Sequence, residues 1–472
     1  MRKTKIVCTL GPATDKEGVL REMMLSGMNV ARFNFSHGTH SEHKVRLDAV
    51  KALREELDLP VAAMLDTKGP EVRLRNFKNG SVEMTAGQDF TLTTEDVEGD
   101  ETRCAITYPQ LPQDVSAGDT SLLDDGLVRL TVLETTAKTI RCRVENSGVM
   151  KNHKGVNVPG VSLSMPYMSQ QDKDDILFGV EQGFDFIAAS FVRCAADVRE
   201  IRRVLNAAHS RIRIIAKIEN QEGVSNLREI LAEADGVMVA RGDMGVEVDF
   251  EKLPGIQKKF IKECCRAGKP VITATQMLES MTSSPAPTRA EITDVANAVF
   301  DGTSAVMLSG ESAAGMYPVE TVRTMSKIVY QAELDAEEVN QYKFLEVESD
   351  ERDVSNAIGH AACTTARDIK ASAIIAVTTS GYTAEMMSKY KPTEPIIAAT
   401  PVEKTYHQQA LTRGVYPVLT ELSNDWNALM EQAAGEAERM GFVSRGDSVV
   451  FSAGMPLQVS GTTNLIKVGT VE

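Results

Sequence analysis

The sequence predicts an α/β protein built on a (β/α)8 barrel, with a small β-barrel lid domain inserted and a C-terminal α/β domain. Three observations predict this architecture. Apolar strands alternate with amphipathic helices through eight units. A stretch of short alternating strands interrupts the series after its third strand. A separate series of strands and helices follows the eighth unit. The length of 472 residues leaves room for several domains.

The predicted barrel strands are short runs rich in Val, Ile and other apolar residues, typical of strands buried on both faces. They cover residues 4–10, 28–35, 61–67, 184–191, 212–219, 236–241, 270–276 and 303–309. An open, doubly wound sheet would show the same periodicity, so this alternative stays open at this point. In both arrangements ligands bind at the carboxyl ends of the strands.

Two helix starts carry a capping-box pattern, a Thr followed three residues later by a Glu. Thr14 with Glu17 predicts the start of the helix after the first strand. Thr288 with Glu291 predicts the start of the helix before the eighth strand, and Gly302 predicts its end.

The interruption, residues 70–165, contains alternating runs such as FTLTTED and TIRCRVEN between Gly, Asp and Asn turns. Because it leaves the catalytic end of the third strand, we expect it to act as a lid that excludes water. The barrel would then comprise residues 1–69 and 166–340. Residues 341–472 would form the C-terminal domain, which begins with a helix over 354–368.

Composition argues against several classes of protein. The net charge of −15 argues against a nucleic-acid partner, which would favour a basic face. No window approaches the roughly 18 apolar residues of a membrane span. The basic and then apolar start predicts a first strand, not a signal peptide. The seven cysteines have neither metal-finger nor redox spacing, which fits reduced thiols in a cytoplasmic protein.

Charged residues stand where the fifth and sixth strands are predicted to end. Lys217 and Glu219 are two residues apart, so a strand presents them on one side, and Asp243 closes the next strand beside Gly242. Two carboxylates suit Mg²⁺, which binds a few carboxylate oxygens together with substrate oxygens. A lysine beside that metal would neutralise a transferring phosphoryl group or form a Schiff base. Strand-end ion pairs with no ligand would give the same pattern.

The second and third strands also end in polar residues. Arg32, Asn34 and Ser36 share one face of the second strand and suit an anion and a monovalent cation. Asp66 and Thr67 close the third strand, where the lid begins. At the ends of the last two strands, the further candidates are Thr275, Ser309 and Glu311. Three histidines at spacings of three predict a solvent-facing helix start rather than a metal cluster: His37, His40 and His43.

The chain resembles the pyruvate kinase family in nine strings that occur in the family's order. They are TKIVCTLGPAT, ARFNFSHG, LDTKGPEVR, KGVNVPG, AKIENQEG, MVARGDMGVE, TATQML, PTRAEITDVANAV and VMLSGES. The resemblance is close over residues 4–328 and holds in outline for the C-terminal region. It implies the last step of glycolysis: Mg²⁺- and K⁺-dependent phosphoryl transfer from phosphoenolpyruvate to ADP, giving pyruvate and ATP.

The resemblance implies a role for each site residue. Glu219 and Asp243 would bind Mg²⁺ or Mn²⁺, Lys217 would stabilise the phosphoryl group in transit, and Arg32 would hold the phosphate. Two backbone groups and one hydroxyl would receive the substrate carboxylate: Gly242, Asp243 and Thr275. A water relay that protonates the enolate would include Thr275, Ser309 and Glu311.

The resemblance also implies a potassium site formed by Asn34, Ser36, Asp66 and Thr67. Glu71 stands where K⁺-dependent members have a glutamate, so K⁺ dependence is expected. The nucleotide would contact Arg73 and Lys154 through its phosphates, and the same family site includes Asn34 and His37.

A loop in the C-terminal domain resembles the one that grips an effector phosphate in regulated relatives. It suits anion binding by amides and hydroxyls, although an ordinary glycine turn would look the same; its residues are Thr378, Thr379, Ser380, Gly381 and Thr383. Relatives that respond to fructose 1,6-bisphosphate have an arginine seven residues after a tryptophan, where Ala433 follows Trp426 here. A phosphorylated allosteric effector is therefore expected, but not that sugar. The family is usually tetrameric, which implies a homotetramer.

Two rival functions remain at this point. A metal-dependent aldolase or lyase of pyruvate enolates would use the same carboxylates, but would need neither the lid nor a clamp of Arg32 and Lys217. A sugar-phosphate sensor built on an inactive barrel would bind ligand without turnover, although every catalytic position is filled.

Overall fold

The computed structural model describes residues 1–339, 353–457, 459 and 461–472. The first part of the barrel contains three strands and two helices: β1 (Lys5–Thr9), α1 (Val19–Leu25), β2 (Val30–Asn34), α2 (His40–Glu56) and β3 (Ala62–Asp66). Each strand is slightly shorter than the apolar run that predicts it, because the run also includes the residues that enter and leave the sheet.

The lid follows β3 and consists almost entirely of short strands. Its elements, eight strands and one short helix, are β4 (Ser81–Met84), β5 (Asp89–Thr93), β6 (Arg103–Ala105), α3 (Leu111–Asp114), β7 (Thr120–Leu123), β8 (Val128–Thr135), β9 (Thr139–Val144), β10 (Gly148–Lys151) and β11 (Val156–Asn157). Six of the strands form a curled sheet in the order β11-β7-β8-β9-β5-β6, and β4 pairs with β10. The lid has a hydrophobic core of its own, which includes Phe90, Leu130 and Met150.

The chain then returns to the barrel for five more strands and their helices. They are α4 (Gln170–Glu181), β12 (Phe186–Ala189), α5 (Ala195–Ala207), β13 (Arg213–Ile218), α6 (Gln221–Ser225), α7 (Leu227–Glu233), β14 (Gly236–Ala240), α8 (Arg241–Glu247), α9 (Leu253–Ala267), β15 (Val271–Ala274), α10 (Arg289–Asp301), β16 (Ala305–Leu308), α11 (Gly310–Ala313) and α12 (Pro318–Glu338).

Eight parallel strands close the barrel in the order β1-β16-β15-β14-β13-β12-β3-β2. The closure confirms the predicted (β/α)8 barrel and excludes the open, doubly wound sheet. Alternate side chains along the strands fill the interior, among them Val7, Met64 and Ile215. The intervening residues pack against the surrounding helices. The strand ends therefore meet in one ring, which places the polar residues that follow them close together.

One of the two predicted capping boxes is wrong. Helix α1 starts at Val19 after Gly18, which has a φ of 76° and makes no side-chain cap. The Thr14 hydroxyl instead bonds to the Gly11 carbonyl at 2.8 Å, so it stabilises the preceding turn. The Thr288 box is confirmed, because Thr288 accepts from the Glu291 backbone and Glu291 accepts from that of Thr288.

The C-terminal region is a five-stranded sheet with helices on it, which confirms the predicted α/β domain. Its elements are α13 (Val354–Asp368), β17 (Ala373–Val377), α14 (Tyr382–Ser388), β18 (Ile396–Thr400), α15 (Glu403–Gln408), β19 (Val415–Leu419), α16 (Trp426–Arg439), β20 (Ser448–Gly454) and β21 (Thr463–Thr470). One strand was not predicted from the sequence: β21, an edge strand antiparallel to β20. The predicted domain boundary at residues 340–341 lies outside the described residues. Within the described ranges no helix combines the length and apolarity needed to cross a bilayer.

Candidate active site

Lys217 projects from the end of β13 into a cluster of opposite charges. Its Nζ lies 3.0 Å from Asp66 Oδ1 and 3.0 Å from Glu219 Oε1, and it donates a 2.7 Å hydrogen bond to the hydroxyl of Ser190. Burial lowers the pKa of the Lys217 ammonium, but Asp66 and Glu219 outweigh this and hold that pKa above its ordinary value. The lysine is therefore charged and held in one position.

Arg32 is the second cation of the cluster. Its Nε donates to Asp66 Oδ2 at 2.6 Å and its Nη1 donates to the Thr9 hydroxyl at 2.8 Å. Burial raises the pKa of the Asp66 carboxyl, yet Arg32 and Lys217 together hold it below its ordinary value. One buried carboxylate thus orients two cations toward the same end of the barrel, an arrangement suited to a phosphate.

Glu219 is almost fully buried, with 1% of its surface exposed. Its Oε2 accepts the Phe191 backbone N–H at 2.6 Å, and its Oε1 faces Lys217. Burial raises the pKa of the Glu219 carboxyl, Lys217 opposes the shift and the nearby Asp243 adds to it, and together these effects raise the pKa to about 7. A divalent cation would relieve this cost of ionisation.

Asp243 lies in the first turn of α8, not at the end of a strand as predicted, because β14 already ends at Ala240. No hydrogen bond or ion pair engages its carboxylate anywhere in the described part of the chain. Its charge contributes to raising the pKa of Glu219, Asp125 and Glu247. A carboxylate that has no hydrogen-bond or ion-pair partner in the described residues and repels three others fits a cation site, and oxygen ligands suit Mg²⁺ or Mn²⁺.

Thr275 and Gly242 are joined by a hydrogen bond between neighbouring strand ends. The Gly242 N–H donates to the Thr275 hydroxyl oxygen at 2.7 Å, and that hydroxyl donates to the Ala274 carbonyl at 2.6 Å. Thr275 has a φ of 65°, and Gln276 one of 52°. A left-handed backbone is costly for a β-branched residue, and such strain is concentrated at functional sites.

The predicted potassium residues lie around the ends of β2 and β3, but several of their oxygens are already engaged. Asn34 Oδ1 accepts the Ser36 N–H at 3.1 Å. The Thr67 hydroxyl accepts the Ser190 N–H at 3.1 Å, and Asp66 is paired as described above. Glu71 pairs with Arg73 at 2.7 Å. The binding of K⁺ by Asn34, Ser36, Asp66 and Thr67 stays a prediction.

A cleft of about 590 Å³ lies between the lid and the barrel and is lined by Asp243, Arg73 and Lys154. Both predicted nucleotide-binding cations already have a carboxylate partner. Arg73 pairs with Glu71, and Lys154 pairs with Asp124 at 2.9 Å. Asn34 and His37 do not line the cleft, and the side chain of His37 is exposed on the surface of the protein.

Ser309 and Glu311 connect the ends of β15 and β16. Glu311 is fully buried and accepts the backbone N–H groups of Ser309 at 2.7 Å and Leu278 at 3.2 Å. Burial raises the pKa of the Glu311 carboxyl. A buried carboxyl held by two N–H groups stabilises the loops, and its place in a proton relay stays a prediction.

The histidine pattern was interpreted wrongly in one respect. His43 is buried, not solvent-facing, and stacks on Phe35 with 4.2 Å between ring centres. His40 stacks on Phe178 and lies 2.5 Å from Asp175. In the described residues no group of three or more His, Cys, Asp or Glu side chains is arranged to hold a metal, so the candidate magnesium site has two carboxylates.

The predicted effector loop joins β17 to α14 and contacts the catalytic barrel. The Thr378 hydroxyl accepts the Gly381 N–H at 2.9 Å, and Thr383 bonds to Thr463 at 2.8 Å. Arg213, at the start of β13, donates to the Ser380 carbonyl at 2.7 Å and pairs with Glu385. The strand that carries Lys217 at one end therefore holds this loop at the other.

The inference drawn from position 433 is not tested by the structure. Ala433 is fully buried and packs in the core between α16 and the sheet, so it does not line the cleft beside the loop. That cleft is lined instead by Glu421, Leu422 and Leu429, together with loop residues. Ala433 offers no charged side chain to that cleft, and the expectation that the effector is not fructose 1,6-bisphosphate stays a prediction.

Sequence reasoning missed several residues that position the site. Ser190 and Phe191 follow β12, whose end carries no charge to attract notice. Thr9 orients Arg32, and Arg241 fixes the strained turn by donating to the Thr275 carbonyl at 2.6 Å. Asn157 of the lid donates to Glu247 of α8 at 2.7 Å. Ser190 and Arg241 each stand directly after a strand, and this position was a signal that could have identified them. The other residues carried no such signal.

Comparisons with known proteins agree with this geometry. Two family models match, described as pyruvate kinase, barrel domain (residues 1–322) and pyruvate kinase, alpha/beta domain (residues 356–469). A pyruvate kinase of Clostridium acetobutylicum is 48% identical over 476 residues, covering 100% of both chains. One of Staphylococcus aureus is also 48% identical, over 100% of this chain and 81% of its own length.

Among solved structures, the crystal structure of a pyruvate kinase from Cryptosporidium parvum superposes with a TM-score of 0.93 at 37% identity. It covers 100% of this chain and 96% of the other. The family models together span both the barrel and the C-terminal domain, and the relatives align along the whole chain. The chain therefore belongs to the pyruvate kinase family and is a phosphotransferase.

Proposed function

We propose that this chain transfers a phosphoryl group from phosphoenolpyruvate to ADP, giving pyruvate and ATP, and that the residues at the carboxyl end of the barrel perform the transfer. The carrying observation is the position of Lys217, a buried ammonium 3.0 Å from both Asp66 and Glu219 at the carboxyl end of the barrel. Family membership supports the reaction itself.

Lys217 and Arg32 bind the phosphoryl group and offset its charge. In a loose transition state negative charge is spread over the phosphoryl oxygens, so fixed cations that need no rearrangement contribute most. Asp66 keeps both cations oriented. ADP is already an anionic nucleophile, so the transfer requires no general base.

Glu219 and Asp243 would hold Mg²⁺ or Mn²⁺, which supplies charge neutralisation at the phosphate and at the enolate oxygen. The Asp243 carboxylate, which has no hydrogen-bond or ion-pair partner in the described residues, supports this assignment. Asn34, Ser36, Asp66 and Thr67 would hold K⁺, which the family usually uses. Thr275 and the backbone of Gly242 and Asp243 would bind the substrate carboxylate, once the Gly242 N–H turns from the Thr275 hydroxyl to the substrate.

Arg73 and Lys154 would bind the nucleotide phosphates by exchanging Glu71 and Asp124 for ADP. The part assigned to Asn34 and His37 in nucleotide binding rests on the family resemblance alone, because neither residue lines the cleft. Thr275 and Ser309 would pass a proton through water to the enolate, and Glu311 would keep the Ser309 backbone in place. These assignments rest on position and on the family resemblance.

We also propose the three-domain division at residues 1–69 with 166–340, 70–165 and 341–472, a homotetramer, and a cytoplasmic location. A phosphorylated effector would bind at Thr378, Thr379, Ser380, Gly381 and Thr383. The contact of Arg213 with this loop supports control of β13 from the C-terminal domain.

A coupled assay of pyruvate formation tests the function. Turnover should require phosphoenolpyruvate and ADP, and omission of Mg²⁺, of K⁺ or of candidate phosphorylated effectors in turn should define each requirement. Aldol cleavage of oxo-acids without phosphoryl transfer would favour the aldolase instead. Ligand binding without turnover in a metal-replete assay would favour a sensor.

A further inference from the structure

Ser190 and Phe191 lie between two groups of residues. On one side are the two segments that connect the lid to the barrel, and on the other are Lys217 and Glu219 of the proposed transfer site. We call residues 66–70 the outgoing hinge and residues 165–168 the return hinge. Both residues follow β12, which separates β3 from β13 in the barrel. Ser190 is 2% exposed, and each of its polar atoms is bonded.

The outgoing hinge is bonded to Ser190 at two points. The Ser190 N–H donates to the Thr67 hydroxyl at 3.1 Å, and the Ser190 hydroxyl donates to the Thr67 carbonyl at 2.6 Å. Gly69, with a φ of 72°, approaches so closely that a Cβ there would lie 2.9 Å from Ser190 Cβ. The hinge therefore requires glycine at this contact.

The return hinge is bonded to the same residue. The buried hydroxyl of Tyr167 donates to the Ser190 carbonyl at 3.0 Å. Helix α4 follows this hinge, and Asp172 lies in its first turn. The Gly69 N–H donates to the Asp172 carboxylate at 2.9 Å. Ser190 thus contacts both connections between lid and barrel.

The other side of this pair contacts the charged residues. Lys217 donates to the Ser190 hydroxyl at 2.7 Å, and the Phe191 N–H donates to Glu219 at 2.6 Å. Phe191 has a φ of 54°, a costly conformation for a bulky residue. This conformation accompanies an N–H aimed at the candidate metal ligand.

We propose that Ser190 and Phe191 are positioning residues through which the position of the lid sets the positions of Lys217 and Glu219. This inference rests on the proposed function. A serine hydroxyl has one proton and here two acceptors, the Thr67 carbonyl at 2.6 Å and Asp66 Oδ1 at 3.1 Å. When lid movement withdraws Thr67, the proton turns to Asp66 and weakens the hold of Asp66 on Lys217.

Ser190→Ala tests the coupling, with Ser121→Ala as the matched control. Ser121 is also 2% exposed, lies in the lid, and its hydroxyl has no partner in the described structure. Turnover, phosphoenolpyruvate affinity and amide hydrogen exchange of both hinges are measured on the full chain. Ser190→Ala should lower kcat about 10- to 100-fold, change the Kd of phosphoenolpyruvate less than about threefold, and speed exchange in both hinges. Ser121→Ala should change none of these.

A second measurement combines Ser190→Ala with Tyr167→Phe. Because both substitutions loosen one junction, their effects on kcat should combine to less than the product of the two. A Ser190→Ala kcat within twofold of wild type, or a fall in kcat with unchanged hinge exchange, would overturn the proposal, as would independent effects in the double variant. Absence of turnover in the wild type would instead contradict the proposed function. Amide hydrogen exchange of the two hinges in Ser190→Ala would still test whether Ser190 holds them.

Discussion

Asp66 and Lys217 face each other across the carboxyl end of β12, with 3.0 Å between Oδ1 and Nζ. The same carboxylate binds Arg32 at 2.6 Å. A single aspartate therefore fixes the geometry of both buried cations at the carboxyl end of the barrel.

Lys217→Met should lower turnover by at least about 10³-fold while the protein stays folded, because a fixed cation at the transferring group is lost. Turnover and circular dichroism are the measurements. Lys404→Met is the matched control, since Lys404 pairs with the buried Asp185 at 3.0 Å at the opposite end of the barrel. Near-normal turnover of the Lys217 variant would contradict the assigned role.

Asp243→Asn and Glu219→Gln should each weaken Mg²⁺ or Mn²⁺ binding at least about 100-fold. Loss of a residue that only supports a metal ligand already weakens binding by up to about 100-fold, and loss of a ligand itself should cost at least as much. Calorimetric titration with either cation measures the effect. Glu251→Gln, an exposed carboxylate on the turn after α8, serves as the control. Unchanged metal affinity in both site variants would remove the carboxylate pair from the site.

Thr275→Val should lower kcat/KM for phosphoenolpyruvate about 100-fold, because it removes the acceptor of the Gly242 N–H and a hydroxyl at the proposed carboxylate site. Thr275→Ser keeps the hydroxyl and should stay within about threefold of wild type. Steady-state kinetics of the two variants decide the point: equal values would mean that the hydroxyl has no part in binding.

His407 should make the C-terminal domain less stable in acid. Burial lowers the pKa of His407 to about 4, although Asp185 opposes the shift, so the folded protein holds it neutral. Unfolding restores a pKa near 6.5, hence stability is complete above that pH and is lost as the pH falls toward 4. The loss between pH 7.5 and pH 5 should be about 2 kcal/mol.

Urea denaturation followed by the fluorescence of the single tryptophan, Trp426, measures this loss at the two pH values. His407→Gln should show a smaller loss of stability between them, because it has no proton to gain on unfolding. An identical loss in variant and wild type would show that other groups cause the acid sensitivity.

The order of elements was predictable because local patterns encode it. Buried parallel strands need continuous apolar runs, and the polar residues after them identify the catalytic end, so Lys217, Glu219 and Arg32 could be named. The capping box predicted at Thr14 was wrong because a capping box and a turn share the same residue types.

The sequence by itself determined the barrel units, the inserted lid and the residues at most strand ends, since these depend on periodicity and on neighbours along the chain. Only the tertiary structure decided that β12 brings Ser190 between Asp66 and Lys217, that Asp243 stands on a helix, and that Arg213 contacts the loop of the C-terminal domain. The contacts of Ser190 and Arg213 join residues more than twenty positions apart. They depend on the closure of the barrel and on the packing of the C-terminal domain against it, which no local pattern encodes.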